Sequence, residues 1–343
     1  MKTILVILDG ASEEKIRELN FMTPIEYAKT PVLDKLIRTG KYSRKRFFPE
    51  NRIPDSLCCI LTILGVCESL IPENRAYFEA LAENVKVKDT EAVLRCNLVS
   101  IKDNRLESFN GIGFTKAEMK KFSNMVTTKN NLKFYHISDY RNILVIDKEK
   151  LTRSLKNMPP HENMGRSMDE LQRNINNNTL KEFLRENRFS ANNRDYAFYP
   201  WGVSEKTELK SFSELHKKSC SCVCSAEIVK GISKAMKINL PKLKHATSDV
   251  DTDLGEKAEV VLRELQTYDF VIAHINGTDE ASHRKDTYGK IKFIEKIDKE
   301  FLRVICKSVK NTKIIVLADH QTSSVTGKHG IGSVDVIETI IKE

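Results

Sequence analysis

The stretch IIVLADH, residues Ile314–His320, joins four consecutive apolar residues to an aspartate and a histidine. The apolar run is typical of a strand that is buried on both faces. Asp319 and His320 then lie at the carboxyl end of this strand, where open α/β sheets bind their ligands. The stretch therefore predicts an α/β fold with a functional site at one edge of its sheet.

Two other apolar runs end in a similar way. Ile4–Leu8 is followed by Asp-Gly, and Phe270–His274 is followed by NGTDEASH. Each polar residue alone has an ordinary explanation, because Asp-Gly forms turns and Asp-His caps helices. Taken together, the side chains that follow the three runs are carboxylates and imidazoles: Asp9, Asp279, His283, Asp319, His320 and His329. Such a set suits Zn²⁺, Mn²⁺ or Mg²⁺ without any thiolate, so we predict a metal site.

Ser56 lies in IPDSLCCILTILG, a turn that leads into an apolar helix. Taken by itself, a serine after Pro-Asp is expected to cap that helix. The alternative is a nucleophile at the helix amino terminus, where free N–H groups and the helix dipole stabilise an anion or a phosphoryl group.

Charge and cysteine usage narrow the class of protein. The net charge is +9, but the basic residues are dispersed and no aromatic-plus-basic repeat accompanies them, so we expect no nucleic-acid partner. No apolar run approaches the length of a membrane span, and Met1 leads directly into the first strand, so we expect a soluble cytoplasmic protein. The eight cysteines lack metal-ligand spacing, and we interpret them as small buried residues in a reducing compartment, with zinc or disulfide use as the alternative.

The middle of the chain is more polar than its ends and reads as an inserted α/β domain. Strand-like segments, Ala92–Ile101, Lys133–His136 and Asn142–Ile146, precede an amphipathic helix expected over Met168–Asn187. The predicted organisation is one domain formed by residues 1–73 and 218–343, interrupted by an inserted domain at residues 74–217.

Several stretches resemble, in order and over nearly the whole chain, the archaeal cofactor-independent (2,3-bisphosphoglycerate-independent) phosphoglycerate mutases of the alkaline-phosphatase superfamily. They are LDG (8–10), TPIEYAKTPVLDKL (23–36), IPDSLCCILTILG (53–65), LRCN (94–97), YRNILVI (140–146), PPHENMG (159–165), ATSDVDTD (246–253), FVIAHINGTDEASH (270–283), KIKFIEKID (290–298) and LADH (317–320). The resemblance implies an alkaline-phosphatase-like, mostly parallel sheet flanked by helices, with a smaller α/β cap domain that clamps the substrate.

It also implies two divalent metal ions, with Mn²⁺ favoured and Mg²⁺, Co²⁺ or Zn²⁺ compatible. The ligands of one ion would be Asp9, Ser56, Asp319 and His320, and those of the other would be Asp279, His283 and His329. Ser56 would take the phosphoryl group of 3-phosphoglycerate and return it to the 2-hydroxyl of the glycerate. In the cap domain, Arg95, Arg141 and His161 would bind this small phosphorylated substrate, although each could instead form a structural ion pair. We expect a monomer or a small homo-oligomer.

The chain departs from the family pattern mainly at positions of the substrate clamp. The differing positions are Asp55, Leu57, Asn74–Tyr77, Tyr140, Pro159 and Tyr199–Gly202, and the chain ends soon after His329. Because the metal and serine positions are kept, a divergent metal-dependent phosphatase or phosphotransferase acting on another phosphate ester is an alternative. A catalytically weak relative retained for binding is a further one, but the complete ligand set argues against it.

Overall fold

The structure is a computed structural model that describes residues 1–151 and 156–342. Its strands, in chain order, are β1 (Lys2–Leu8), β2 (Lys41–Lys45), β3 (Glu91–Lys102), β4 (Arg105–Ser108), β5 (Lys133–Ser138), β6 (Arg141–Asp147), β7 (Arg188–Ala191), β8 (Arg194–Glu205), β9 (Cys220–Val223), β10 (Phe270–Ile275), β11 (Thr312–Leu317), β12 (Gln321–Thr322), β13 (His329–Gly330) and β14 (Val334–Ile341).

The α-helices in the same residues are α1 (Pro24–Tyr27), α2 (Pro31–Thr39), α3 (Ser56–Ile63), α4 (Ala76–Ala82), α5 (Lys116–Ser123), α6 (Met168–Asn174), α7 (Asn178–Glu186), α8 (Phe212–His216), α9 (Glu227–Ala235), α10 (Leu254–Thr267), α11 (Gly277–His283), α12 (Thr287–Lys296) and α13 (Arg303–Ser308). A π-helical segment, Ile297–Leu302, connects α12 to α13. Short 3-10 turns occur at Arg17–Leu19, Glu68–Leu70, Lys148–Lys150 and Pro160–Glu162. Within the described ranges, no helix is both long enough and apolar enough to cross a bilayer.

The chain forms two compact units, of which the larger combines Met1–Ile71 with Glu208–Glu343. Its six-stranded sheet has the order β2-β14-β11-β1-β10-β9. Strand β1 lies between β10 and β11 and is parallel to both, and β9 is parallel to β10, whereas β14 and β2 complete the sheet as antiparallel strands. The predicted mostly parallel sheet is confirmed, and the carboxyl ends of β1, β10 and β11 meet at one edge.

Both faces of this sheet are covered, which explains the continuous apolar runs. Ile4–Leu8 is buried along its whole length, as the sequence predicted. Ile4 and Val6 pack in one core cluster with residues of α2, α10 and the π-helical segment. At the edge strand β9, Cys220 and Cys222 are buried, and no disulfide joins the cysteines in the described part of the chain.

The smaller unit, Pro72–Thr207, contains an antiparallel sheet with the order β5-β6-β3-β8-β7, to which β4 adds by pairing with β3. Alternate residues of β3, including Leu94 and Leu98, pack in one cluster with Phe183 of α7. Across the sheet Arg95 lies opposite Trp201 of β8, and Asn97 opposite Arg141 of β6, so these side chains share the other face. That this smaller unit clamps the substrate stays a prediction.

The single helix expected over Met168–Asn187 is wrong, because two helices, α6 and α7, occupy this segment. The first ends at Asn174, and the second begins after Asn177, whose side chain accepts a hydrogen bond from the Leu180 N–H at 2.9 Å. A capping asparagine starts a new helix where the apolar periodicity alone predicts continuation.

Candidate metal centre

Asp9 directly follows β1, and Asp319 and His320 follow β11. Asp279 lies on α11, the helix that directly follows β10. Because β10, β1 and β11 are parallel neighbours, their carboxyl ends bring these side chains to one place. These candidate ligands therefore lie at the edge of the sheet where the sequence predicted them.

The first group of side chains consists of Asp9, Asp319 and His320, which are all buried and offer ligand atoms within 4.8 Å of one another. His320 Nε2 lies 3.3 Å from Asp9 Oδ1 and 3.5 Å from Asp319 Oδ2. The other oxygen of Asp319 accepts hydrogen bonds from the Gly10 and His320 N–H groups at 3.1 and 2.9 Å. This group offers two carboxylates and one imidazole nitrogen to a cation.

Ser56 belongs to this first group, and the expectation that it caps α3 is wrong. The cap is Asp55, whose carboxylate accepts a hydrogen bond from the Cys58 N–H at 2.7 Å. Because Asp55 takes that role, the Ser56 hydroxyl is directed elsewhere. Its Oγ lies 3.5 Å from Asp9 Oδ1 and 3.3 Å from His320 Nε2.

The second group consists of Asp279, His283 and His329. Asp279 and His283 are four residues apart on α11 and therefore share one face, with His283 Nε2 3.2 Å from Asp279 Oδ2. His329, on β13, places Nε2 3.2 Å from His283 Nε2 and 3.8 Å from Asp279 Oδ1. Asp279 and His329 also form a cluster with His320, whose ligand atoms lie within 4.8 Å of one another, so the two groups adjoin.

The hydrogen bonds of the Nδ1 atoms in His283 and His329 determine which nitrogen of each neutral ring carries the proton. His283 Nδ1 lies 2.9 Å from the Gly327 carbonyl oxygen, and His329 Nδ1 lies 2.8 Å from the Pro54 carbonyl oxygen. A carbonyl oxygen only accepts, so Nδ1 is the protonated nitrogen in both rings. In the neutral rings, Nε2 then presents a lone pair inward. This is the arrangement in which metal-binding histidines are usually held.

A buried carboxylate oxygen provides a test of whether a cation fits. Asp319 Oδ2 is buried and accepts no hydrogen bond. Burial, reinforced by the negative charge of Asp9, raises the pKa of Asp319 to about 7. Burial acts against ionisation of Asp9 as well, but the His274 and His320 imidazoles, each 3.3 Å from its carboxylate, hold the pKa of Asp9 well below its usual range. Two buried carboxylates facing one another with one oxygen unsatisfied fit a bound divalent cation.

The imidazoles are basic in the surroundings that these carboxylates create. Burial opposes the charge on His320, yet the Asp319 and Asp9 carboxylates raise its pKa to about 10. The hydrogen bond with Asp279 raises the pKa of His283 to about 9, against the effect of partial burial. Without a metal ion, both rings are therefore protonated on both nitrogens. The second proton, on Nε2, occupies the place where the cation would otherwise bind.

The three residues expected to bind substrate all lie in the smaller unit. Arg95 Nε lies 2.9 Å from Glu79 Oε2, and the Arg95 guanidinium lies 4.2 Å from the centroid of the Trp201 ring. The ion pair considered as an alternative for Arg95 is thus present.

Arg141 and His161 are near the same group of side chains. His161 makes an edge contact with the Trp201 ring, with centroids 5.7 Å apart, and the Arg141 guanidinium lies 5.3 Å from the Tyr140 ring centroid. Burial raises the pKa of Glu79, but the positive charges of Arg95, Arg75 and Arg141 outweigh it, and the net shift is downward. Three arginines therefore lie near one carboxylate, and positive charge of this kind attracts an anion.

Three residues at or near these sites were not singled out from the sequence. His274, at the end of the predicted strand, places Nε2 3.3 Å from Asp9 Oδ2. Thr322 contacts both His320 and Asp279, at 3.1 and 2.6 Å. Glu79 is separated by 16 positions from its partner Arg95. The position of Glu79 four residues after Arg75 on a helix was the available signal for a paired carboxylate.

Comparison with known proteins places these sites in context. The family described as the metalloenzyme superfamily matches residues 1–339. The 2,3-bisphosphoglycerate-independent phosphoglycerate mutase of Methanosphaera stadtmanae is 26% identical over 368 residues, covering 100% of this chain and 89% of the relative. The protein of Methanothermobacter thermautotrophicus named 2,3-bisphosphoglycerate-independent phosphoglycerate mutase 2 is 27% identical over 341 residues, covering 94% of this chain and 84% of the relative.

Solved structures share the fold. The PH0037 protein from Pyrococcus horikoshii matches with a TM-score of 0.78 and 23% identity, over 98% of this chain and 87% of that one. The cofactor-independent phosphoglycerate mutase from Thermoplasma acidophilum matches with a TM-score of 0.59 and 17% identity, over 99% of this chain and 90% of that one. At this level of identity the similarity establishes the fold.

Proposed function

The chain belongs to the metalloenzyme superfamily, and from this premise we propose that it interconverts 3-phosphoglycerate and 2-phosphoglycerate through a phosphorylated Ser56. One observation carries the proposal: the Ser56 hydroxyl lies 3.5 Å from Asp9 and 3.3 Å from His320, which are two of the candidate metal ligands. The full-length similarity to phosphoglycerate mutases supports this substrate over other phosphate esters.

The proposed reaction has two transfers. Ser56 Oγ attacks the phosphorus of 3-phosphoglycerate, the bond from phosphorus to the 3-oxygen breaks, and the serine proton ends on that oxygen. Glycerate then reorients, and its 2-hydroxyl attacks the phosphoserine, so that the serine hydroxyl is restored. The amino terminus of α3, where Ser56 is the first residue, favours the negative charge of the transferring group.

Asp9, Ser56, Asp319 and His320 would hold one divalent cation, and Asp279, His283 and His329 would hold the second. Bound there, the ions lower the pKa of the serine hydroxyl and neutralise charge on the transferring group, with Mn²⁺ favoured as the native ion. The buried Asp319 oxygen that accepts no hydrogen bond supports the first position. The two inward Nε2 atoms of His283 and His329, 3.2 Å apart, support the second.

Arg95, Arg141 and His161 would bind the carboxylate and phosphate groups of the substrate. The positive charges of Arg95, Arg75 and Arg141 around Glu79 support this assignment, as does the ion pair that holds the Arg95 guanidinium. Substrate binding by these side chains would also have to keep water away from the phosphoserine. Phosphoserine that is open to water is hydrolysed, and the enzyme then becomes a phosphatase.

The test is turnover of 3-phosphoglycerate by the Mn²⁺-loaded protein, coupled to enolase, with free phosphate assayed in the same sample. We expect 2-phosphoglycerate with little free phosphate. Ser56→Ala should abolish transfer, and Thr62→Ala is a matched control on the same helix, since the Thr62 hydroxyl donates to the Cys58 carbonyl at 2.9 Å. Release of phosphate without 2-phosphoglycerate would replace the mutase with a phosphatase, and full activity of Ser56→Ala would remove Ser56 as the nucleophile.

A further inference from the structure

Thr322 lies two residues after His320, on the short strand β12, and its side chain is fully buried. Its hydroxyl oxygen lies 3.1 Å from His320 Nδ1 and 2.6 Å from Asp279 Oδ1. His320 belongs to the first group of candidate ligands and Asp279 belongs to the second. A single hydroxyl therefore contacts one side chain from each group.

The direction of each hydrogen bond follows from the chemistry of the three groups. An ionised carboxylate can only accept, so the one hydroxyl proton of Thr322 is donated to Asp279. The hydroxyl oxygen can then only accept from His320, and the proton of that bond must be on Nδ1. In a neutral ring, Nε2 of His320 then carries the lone pair. That atom is the one directed at Asp9 and Ser56, at 3.3 Å from each.

We propose that the Thr322 hydroxyl couples the two metal positions, because it orients the imidazole ligand of the first and the carboxylate ligand of the second through one chain of hydrogen bonds. Thr322 is a positioning residue, since it acts through His320 and Asp279. This inference rests on the two-metal part of the proposed function and does not depend on which phosphate ester is the substrate.

A separate observation indicates that this hydroxyl is tightly held. Gly10 approaches so closely that a Cβ there would lie 2.6 Å from Thr322 Oγ1 and 2.5 Å from Asp279 Oδ1. Gly10 also has a φ of +59°, which favours glycine. The turn after β1 therefore packs its backbone against the Thr322–Asp279 hydrogen bond, and neither side chain can shift toward it.

The size of the effect follows from other metal sites. Removal of a group that orients a metal-binding side chain typically weakens metal affinity by about 10-fold to 100-fold. Here the loss of one hydroxyl should weaken both positions, because His320 and Asp279 belong to different ones. A residue with a local role at one position would weaken that position alone.

The experiment compares Thr322→Val with Thr322→Ser. Valine keeps the shape of threonine and removes the hydroxyl, whereas serine keeps the hydroxyl and removes the methyl group. Titration of each metal-free variant with Mn²⁺ alone, by calorimetry, gives both affinities, and electron paramagnetic resonance of the loaded protein reports whether the two ions are magnetically coupled. Thermal unfolding in the presence of chelator shows that each chain is folded before titration.

We expect Thr322→Val to lose about 10-fold or more at both positions, and Thr322→Ser to stay within about 3-fold of the wild-type protein. Unchanged affinities in the valine variant, or weakening at one position only, would overturn the coupling. If the valine chain does not fold, Thr322→Ala replaces it under the same criteria. Binding of fewer than two ions by the wild-type protein would also overturn it, whereas two bound ions without mutase activity would refute only the proposed substrate.

Discussion

Lowering the pH should weaken Mn²⁺ binding steeply, because protons and metal ions compete for the same side chains. Burial opposes the charge on His320, but the Asp319 and Asp9 carboxylates raise its pKa to about 10, and the hydrogen bond with Asp279 raises that of His283 to about 9. At pH 8 both imidazoles of the metal-free protein are therefore doubly protonated and positively charged, with the second proton on the ligand atom. Each must lose that proton when its ligand atom binds a cation.

The magnitude follows from the number of protons displaced. Between pH 7 and 9 one proton leaves for each ion, so each binding constant should rise about 10-fold per pH unit, or about 1.4 kcal/mol. The product of the two constants should rise about 100-fold per unit. Burial raises the pKa of Asp319 to about 7. Below that pH a third proton is displaced, and the product should change by about 1,000-fold per unit.

The assay is calorimetric titration of Mn²⁺ into the metal-free protein, repeated in buffers with different ionisation enthalpies. The difference between buffers gives the number of protons released, which we expect to be about two at pH 8. His283→Gln is the internal control, since it should release one proton fewer. Release near zero at pH 8 with tight binding would refute the reasoning, because it would mean that the imidazoles are neutral before metal arrives.

The stability of the metal-free protein should follow pH in the opposite direction. A histidine whose pKa is raised by folding stabilises the native state fully below its unfolded value, near 6.5, and loses this contribution as the pH rises through the folded value. For His320 this window extends to about pH 10. The unfolding temperature with chelator should therefore fall as the pH rises across that window. Saturating Mn²⁺ should instead stabilise the protein more as the pH rises, because it then binds more tightly.

Three further predictions concern single side chains. Asp279→Asn should reduce the Mn²⁺ stoichiometry from two toward one, measured by calorimetry, and an unchanged stoichiometry would count against its role as a ligand. Glu79→Gln should raise the KM for 3-phosphoglycerate about 10-fold with a smaller change in kcat, because loss of the ion pair that holds the Arg95 guanidinium outweighs the gain in positive charge. Fluorescence of the single tryptophan measures the matching loss of binding. Lys290→Met should destabilise the fold by about 3 kcal/mol, because Glu13 is buried and pairs with Lys290 at 3.0 Å. Urea unfolding measures this loss, and the double substitution with Glu13→Gln should recover most of it.

The fold class and the position of the candidate site could be predicted because both depend on local patterns. Ile4–Leu8 and Ile314–Leu317 are continuous apolar runs of the length that is typical of a strand covered on both faces. Polar residues directly after such strands share one edge of a parallel sheet whatever the order of the strands. Asp9, Asp319 and His320 therefore came together as expected from their place in the sequence.

Details that depend on the direction of single side chains could not be predicted. The apolar pattern at Met168–Asn187 carries no information on the capping bond of Asn177 that divides the helix. Ser56 taken by itself was expected to cap α3, and only the family resemblance indicated a second role. Its approach to Asp9 and His320, from 47 and 264 positions away, depends on the folded chain.

The candidate metal ligands could be predicted from the sequence, whereas Thr322, which contacts two of them, could not. Asp9, Asp279 and His320 were visible as metal-binding types after buried strands. Thr322 is a common residue in an unremarkable position, and its importance arises from one hydroxyl proton and two acceptor–donor distances set by the packing of β1 against its parallel neighbours. Residue type and spacing identify groups that can bind a cation, whereas the direction of a hydrogen bond exists only once the chain has folded.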